Sequence, residues 1–195
     1  MDYNLENKIT DHYKINWKNL PKIEVWDNEK TNKKINGFKV LEFSPTIERN
    51  MWTYATCGMS TLEEENPIEL HIFSQIQDKK LVELLTVVAY YHRENNLDLF
   101  HTVNFGIPWQ KSSKCSYGLI SLPYLDGPSL ENLYLNSIDE NLKFYWLIPI
   151  HEDEVEYKMK YGVEELENKF DEKEFNYLDP NRDSVIKPPL PKEFS

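Results

Sequence analysis

Cys57 is the natural candidate for a nucleophile, and His71 and His101 are the histidines that could activate it. A thiol attacks as its thiolate, so catalysis would need an exposed sulfur beside a base. Cys57 instead lies inside the run WTYATC, among aromatic and β-branched residues, with no nucleophile signature around it. A strand interior presents a thiol poorly, and a reduced, buried sulfur is the expectation. His151–Glu152 opens an H-E-x-x-H word, but position 155 is Val, so the second zinc ligand is missing. The five histidines, His12, His71, His92, His101 and His151, show no metal-ligand spacing with the two cysteines. There is no G-x-G-x-x-G and no Walker A loop, and 6 glycines leave little material for a phosphate cradle. No catalytic residue, metal or cofactor is expected. A small hydrolase using Cys57 or a His–carboxylate pair is the alternative that a deep polar pocket would favour.

Acidic residues do gather. Glu63, Glu64 and Glu65 fill one loop, and Glu152, Asp153, Glu154 and Glu156 fall on one helix, followed by Glu164, Glu165 and Glu167. Singly, each reads as a solvated charge. As a set they could offer a negative surface to a basic partner and speed its association. Aromatic anchors beside such a surface would carry binding energy. Trp109, after Ile107 and Pro108, and Tyr124, beside Leu125, Asp126 and Gly127, are the candidates, although aromatics next to apolar strands are more often core.

The whole composition agrees with a protein-binding role. The chain has 195 residues and a net charge of -11, which repels nucleic acid and anionic membranes alike. Hydrophobic residues make up 40%, enough for a folded core. No apolar run approaches a membrane span, and the polar start MDYNLENKITDHYK does not read as a secretory signal. Two cysteines make no disulfide framework, so a reduced, cytoplasmic setting is expected.

These residues need elements to place them. Residues 7–20 suggest a short helix with Ile9, Tyr13, Ile15 and Trp17 as its apolar members, ended by Pro21. Val25 and Trp26 suggest a short strand, and 27–37 a polar loop. FKVLEFSP, MWTYATCGMS, IELHIFS, HTVNFG, GLISLPYL and KFYWLIPI read as strands, the last covered on both faces because it is almost continuously apolar. Residues 79–95 repeat apolar side chains at three- and four-residue steps, which predicts a helix packed on the sheet through Leu84 and Val88. HEDEVEYKMK starts another, with acids in its first turn, and Tyr161–Gly162 breaks it before VEELENKF. The expected fold is α+β, a layered α/β sandwich with a central mixed sheet covered by helices. One domain is expected over residues 1–185, with 186–195 an irregular, proline-rich tail.

In order and spacing, WTYATCGMS, IELHIF, KKLVELLTVVAYYHREN, YGLISLPYLDG, FYWLIPI and HEDEVEYKMKYGVEELENKF resemble the suppressor-of-fused domain in its short bacterial form, over residues 38–185. Animal members of that family bind a transcription factor, whose peptide adds a strand between this domain and a second one. Similar single-domain bacterial chains act as immunity proteins, or antitoxins, of polymorphic toxin systems. The resemblance therefore implies a protein that neutralises a cognate toxin, a basic nuclease, by direct complex formation. A regulatory scaffold with no toxin partner is the other reading it allows. The loop after the strand that ends at Cys57 is short here, so the animal partner contacts do not transfer to named residues.

Overall fold

The structure is a computed structural model that describes residues 3–26, 33–61, 63, 64, 66–135 and 141–186. Helix α1 (Tyr3–Trp17) leads into β1 (Lys22–Glu24), β2 (Lys39–Phe43), β3 (Trp52–Cys57) and β4 (Ile68–Ser74). Helix α2 (Lys80–Asn95) is followed by β5 (Thr102–Asn104) and β6 (Tyr117–Ser121). A single-turn α3 (Pro128–Glu131), β7 (Asn132–Tyr134) and β8 (Asn141–Ile150) precede α4 (Glu152–Tyr161) and α5 (Val163–Glu172).

The eight strands form one sheet in the order β1-β2-β3-β4-β8-β6-β5, with β7 also paired to β8. Only the β4–β8 pair is parallel, with Leu70 opposite Tyr145 and His71 opposite Trp146. Every residue of β4 is buried, as are the last seven of β8. Strands covered on both faces need helices on both faces. Helix α2 covers one, packing Leu81, Leu85, Val88 and Ala89 on Tyr54, Leu70, Ile72 and Leu147. Alternate residues of the same strands point the other way. There α1 covers Leu41, Ala55, Cys57 and Phe144, and the α4–α5 pair covers Phe73, Trp146, Ile148 and Ile150.

Local sequence explains the ends. Asn96 takes φ 44, and its N–H returns to the His92 carbonyl at 2.9 Å, closing α2. Gly162, at φ 96, separates α4 from α5, as the sequence predicts. Three expectations shift. The first strand is Lys22–Glu24, just before Val25 and Trp26. Helix α1 starts earlier and buries Leu5, Ile9, Tyr13 and Trp17, a strict four-residue step, while Ile15 is 75% exposed. Lys18, at φ 49, ends that helix before Pro21 can. Of the expected tail, 187–195 lies outside the described residues.

One ion pair ties the last segment to the sheet. The Arg182 guanidinium donates to both Glu154 oxygens, at 2.7 and 2.6 Å, and to the Pro149 carbonyl at 3.1 Å. Glu154 also accepts the His151 N–H at 2.8 Å and the Val185 N–H at 3.0 Å. Both side chains are nearly sealed from water, so each charge is neutralised only by the other. Removing one partner of such a pair leaves a buried uncompensated charge, which costs about 3–5 kcal/mol. Arg182→Ala is therefore expected to lower the unfolding free energy by about that amount in urea titrations at unchanged slope. A loss below about 1 kcal/mol would show that the pair is not sealed as described.

Candidate protein-docking surfaces

The residues that could do thiol chemistry are not assembled for it. Cys57 is fully buried, and its sulfur faces α1, 3.8 Å from the Glu6 carbonyl and 4.0 Å from Thr10 Oγ1. Burial pushes its pKa up, away from a thiolate. His71 is sealed beneath Trp17 and Phe73, with ring centroids 5.5 and 5.1 Å away. Burial lowers its pKa to about 4, the Asp126 carboxylate opposing the shift and Arg49 adding to it. His101 is exposed and accepts the Asp98 N–H through Nδ1 at 3.2 Å. Among the described residues, no group of His, Cys, Asp and Glu is placed to hold a metal ion.

Two buried polar clusters escape the sequence reading. In the first, His92 Nε2 lies 2.9 Å from Ser60 Oγ and 2.8 Å from Glu64 Oε2. A catalytic triad needs serine and carboxylate on opposite ring nitrogens. Here both meet the same one. Ser60 Oγ also donates to the Ile68 carbonyl at 2.9 Å, so the cluster is a clasp that holds Ser60 and Glu64 on α2. Burial would raise the Glu64 pKa, but hydrogen bonds from His92 and the Thr61 N–H, with the His92 and Arg93 charges, pull it down to about 2.

The second cluster replaces part of the β3–β4 ladder. Leu70 N–H donates to Thr56 Oγ1 at 2.7 Å, and the Thr56 hydroxyl lies 2.5 Å from Glu69 Oε2. The Gly58 and Met59 N–H groups donate to Glu69 Oε1 at 2.8 and 3.0 Å. The Glu69 carboxyl thus caps the strand where β3 leaves β4. Burial raises its pKa to about 7 despite these donors.

Among the described residues, two of the concave surfaces open to a partner are lined by aromatic side chains. A groove of about 360 Å3 runs between α2 and β5, over Val87, Tyr91, Phe105, Ile107 and Trp109. Strand β5 ends the sheet order, so its outer edge is unpaired among the described residues. The Gln110 amide donates to Ser74 Oγ at 2.8 Å and pins the 106–112 loop that forms the groove's far wall. Trp109 is 2% exposed, and its indole N–H has no partner among the described residues. A Cβ on Gly118 would come within 2.6 Å of Phe105 and Leu147, so glycine there lets Phe105 settle into the groove.

The opposite face of the sheet is acidic. Helices α4 and α5 carry nine carboxylates against three lysines. Between α5, the turn that follows it and the 121–125 segment lies a cleft of about 810 Å3 with an aromatic lining.

The candidate docking residues divide accordingly. Glu63, Glu152 and Glu156 are exposed, and Tyr124 is 57% exposed on the cleft. Asp153 is half-buried in the first turn of α4. Glu64 sits in the His92–Arg93 clasp, and Glu65 lies outside the described residues. Three candidates are internal. Trp109 is a wall of the groove rather than a protruding anchor. Glu154 is committed to Arg182. Asp126, its side chain 3% exposed, pairs with Arg49, accepts the Trp17 indole N–H at 2.9 Å and faces His71 Nε2 at 3.4 Å. The sequence gives the acids but not their basic partners, which lie 28 to 77 positions away.

Glu69 and His71 make stability depend on pH with opposite signs. The folded state keeps the Glu69 proton that the unfolded chain releases above about 4.5, so this contribution is lost as pH rises toward about 7. The folded state refuses the His71 proton that the unfolded chain takes up below about 6.5, so that contribution is lost as pH falls toward about 4. Glu69→Gln is expected to gain stability relative to the parent between pH 5 and 7, read from urea midpoints. A parallel pair of pH profiles would show that Glu69 does not titrate in that window.

The family model described as suppressor of fused protein matches residues 33–183. The crystal structure of a suppressor-of-fused homolog from Neisseria gonorrhoeae superposes with a TM-score of 0.83 at 30% identity, covering 95% of this chain and 98% of that one. A Sufu–Fu complex superposes with a TM-score of 0.65 at 15% identity over 93% of this chain and 92% of that one. Drosophila Suppressor of Fused gives 0.65 at 14% over 91% of this chain, which spans 50% of the Drosophila one. The last two identities speak for the fold alone. A search of curated proteins found no match. No helix among the described residues is long and apolar enough to cross a membrane. With the matched segment running from the loop before β2 to the Arg182 clasp, the chain belongs to the suppressor-of-fused protein family.

Proposed function

We propose that this chain is a cytoplasmic immunity protein, acting as one unit over residues 1–185, that neutralises a cognate toxin by direct, non-catalytic complex formation. The toxin is a nuclease. The observation that carries this reading is the concentration of charge on one face, where α4 and α5 carry eight carboxylates besides the internal Glu154, against three lysines. A nuclease must present positive charge to hold phosphates. An acidic face can border or cover that surface, gaining association rate from charge and residence time from buried anchors. It also excludes the nucleic acid itself.

The groove beside β5 supports a second reading, a regulatory scaffold without a toxin. An unpaired strand edge next to an apolar trough suits an extended peptide, which would add main-chain hydrogen bonds and place alternate side chains in the trough. Helix-face residues Val87 and Tyr91, 43% and 42% exposed, have no other evident use.

Co-expression with a candidate toxin gene drawn from the neighbourhood of its own gene separates the two. Immunity predicts restored growth and a recoverable complex. Toxicity that persists, with no complex on co-purification, leaves the scaffold reading. Charge reversal belongs on Glu152, Glu156 and Glu164, which are exposed, and not on Glu64 or Glu154, whose loss would damage the fold. The triple reversal to Lys is expected to slow association at low salt by about tenfold or more and to flatten its salt dependence. An unchanged salt slope would place the contact elsewhere.

A further inference from the structure

The cleft on the acidic face has a composition that the overall charge does not explain. Its lining includes four carboxylates, Glu164, Glu167, Asp171 and Glu174, and no Lys, Arg or His. None of the four forms an ion pair among the described residues, although Lys169 on the same helix pairs with Glu172. Solvated surface acids usually alternate with aliphatic stems and lysines. These surround rings instead.

The rings line its floor and side. Trp146 and Phe170 are buried, and Phe175 and Tyr177 half-buried. The Arg182 guanidinium covers Phe170 and Phe175 from within at 6.0 and 5.4 Å, which leaves Tyr177 and Tyr124 as the rings open to a partner. Trp146 and Tyr177 meet edge to face at 5.2 Å and 88°. Phe175 stacks on Phe170 at 4.3 Å and lies 6.2 Å from Tyr177. Tyr124 and Leu125, 57% and 47% exposed, form the opposite lip. Between them stands Glu167, half-buried, whose carboxylate accepts from Ser121 Oγ at 3.2 Å and from Tyr124 OH at 3.3 Å. These two bonds aim the carboxylate and leave its remaining lone pairs free to accept others. Burial raises the Glu167 pKa, with Asp171 and Glu164 adding to the shift and the Ser121 and Tyr124 hydrogen bonds opposing it.

We propose that this cleft takes an arginine side chain of the basic partner, stacked on the aromatic wall and paired with the carboxylates of the rim. Charge complementarity selects a cation, and the aromatic wall selects which one. A guanidinium is planar, weakly hydrated and stacks on rings while its fork of N–H donors meets carboxylates. An ammonium is a compact, strongly hydrated point charge and uses only half of that surface. The volume, about 810 Å3, admits the side chain together with the backbone that carries it. The inference rests on reading the acidic face as the docking surface for a basic protein.

The test needs no toxin. The full chain, labelled with 15N, is titrated with the peptide acetyl-Gly-Arg-Gly-Arg-Gly-amide, and with versions carrying lysine or the neutral isostere citrulline. Expected are shifts confined to resonances of 121–125 and 164–177, the Trp146 indole among them. Half-saturation should come at about three- to tenfold lower concentration for arginine than for lysine, with no shift from citrulline. Tyr124→Ala and Glu167→Gln should each weaken the arginine peptide severalfold at unchanged urea midpoint, and Glu152→Gln, on the same face but outside the cleft, should not. Equal binding of lysine and arginine, shifts spread over α4 and α5, or no binding at all would overturn the cleft assignment. The immunity reading fails by a different result, lost protection and no complex in co-expression, so either can fall without the other.

Discussion

The parallel pairing of β4 with β8 is the constraint on which the rest of the structure depends. Two adjacent strands with no solvent-facing side must be covered above and below, and the three helical groups are that cover. The pairing also traps polar side chains that arrive with the strand. Glu69, His71 and Ser74 are all within β4 and all at 0% exposure. A polar group in such a place must be met by a partner or stay neutral. Glu69 meets three donors, the Thr56 hydroxyl and the Gly58 and Met59 N–H groups, and Ser74 Oγ meets Gln110. His71 stays neutral beside an aspartate already held by Arg49 and Trp17. The buried polar clusters of this protein are therefore consequences of the central strands rather than remnants of a catalytic site.

Seen this way, the two sides of the sheet are chemically distinct. The α2 side offers an apolar trough beside an open strand edge. The α4–α5 side offers carboxylates around rings. Similar overall shape within the family, from Neisseria to Drosophila, leaves both faces free to differ in what they present. Fold similarity at 14–15% identity reaches only the frame.

What could be read in the sequence was whatever depends on neighbours in the chain. The apolar run FYWLIPI marks a strand covered twice, the three- and four-residue repeat of 80–95 marks its helix, and Gly162 marks a break. The α4 acids were legible as a cluster because a helix sets them side by side. Glu154 looked like its neighbours and is not one of them, because Arg182 reaches it from 28 positions away. Asp126 and Glu64 read as surface acids in sequence but pair inside the fold, their partners Arg49 and Arg93 lying 77 and 29 positions off. The loop composition around Trp109 suggests an anchor, but the segment between β5 and β6 folds it inward against the core. Charge and type are local properties. Whether a charge is spent inside the fold is a property of contact.

The Arg182 clasp has a bearing on how this chain is made. The guanidinium that neutralises Glu154 follows every strand and helix of the fold in chain order. During synthesis the sheet, α4 and α5 can all emerge before it does. Until then Glu154 faces the end of β8 as a carboxylate with no counter-charge, and the α4–α5 pair has reason to stay loosely docked. The strands of the central sheet thus all exist before the counter-charge that holds the acidic face does. Synthesis, by delivering residue 154 well before residue 182, bears on the two sides of the molecule unequally.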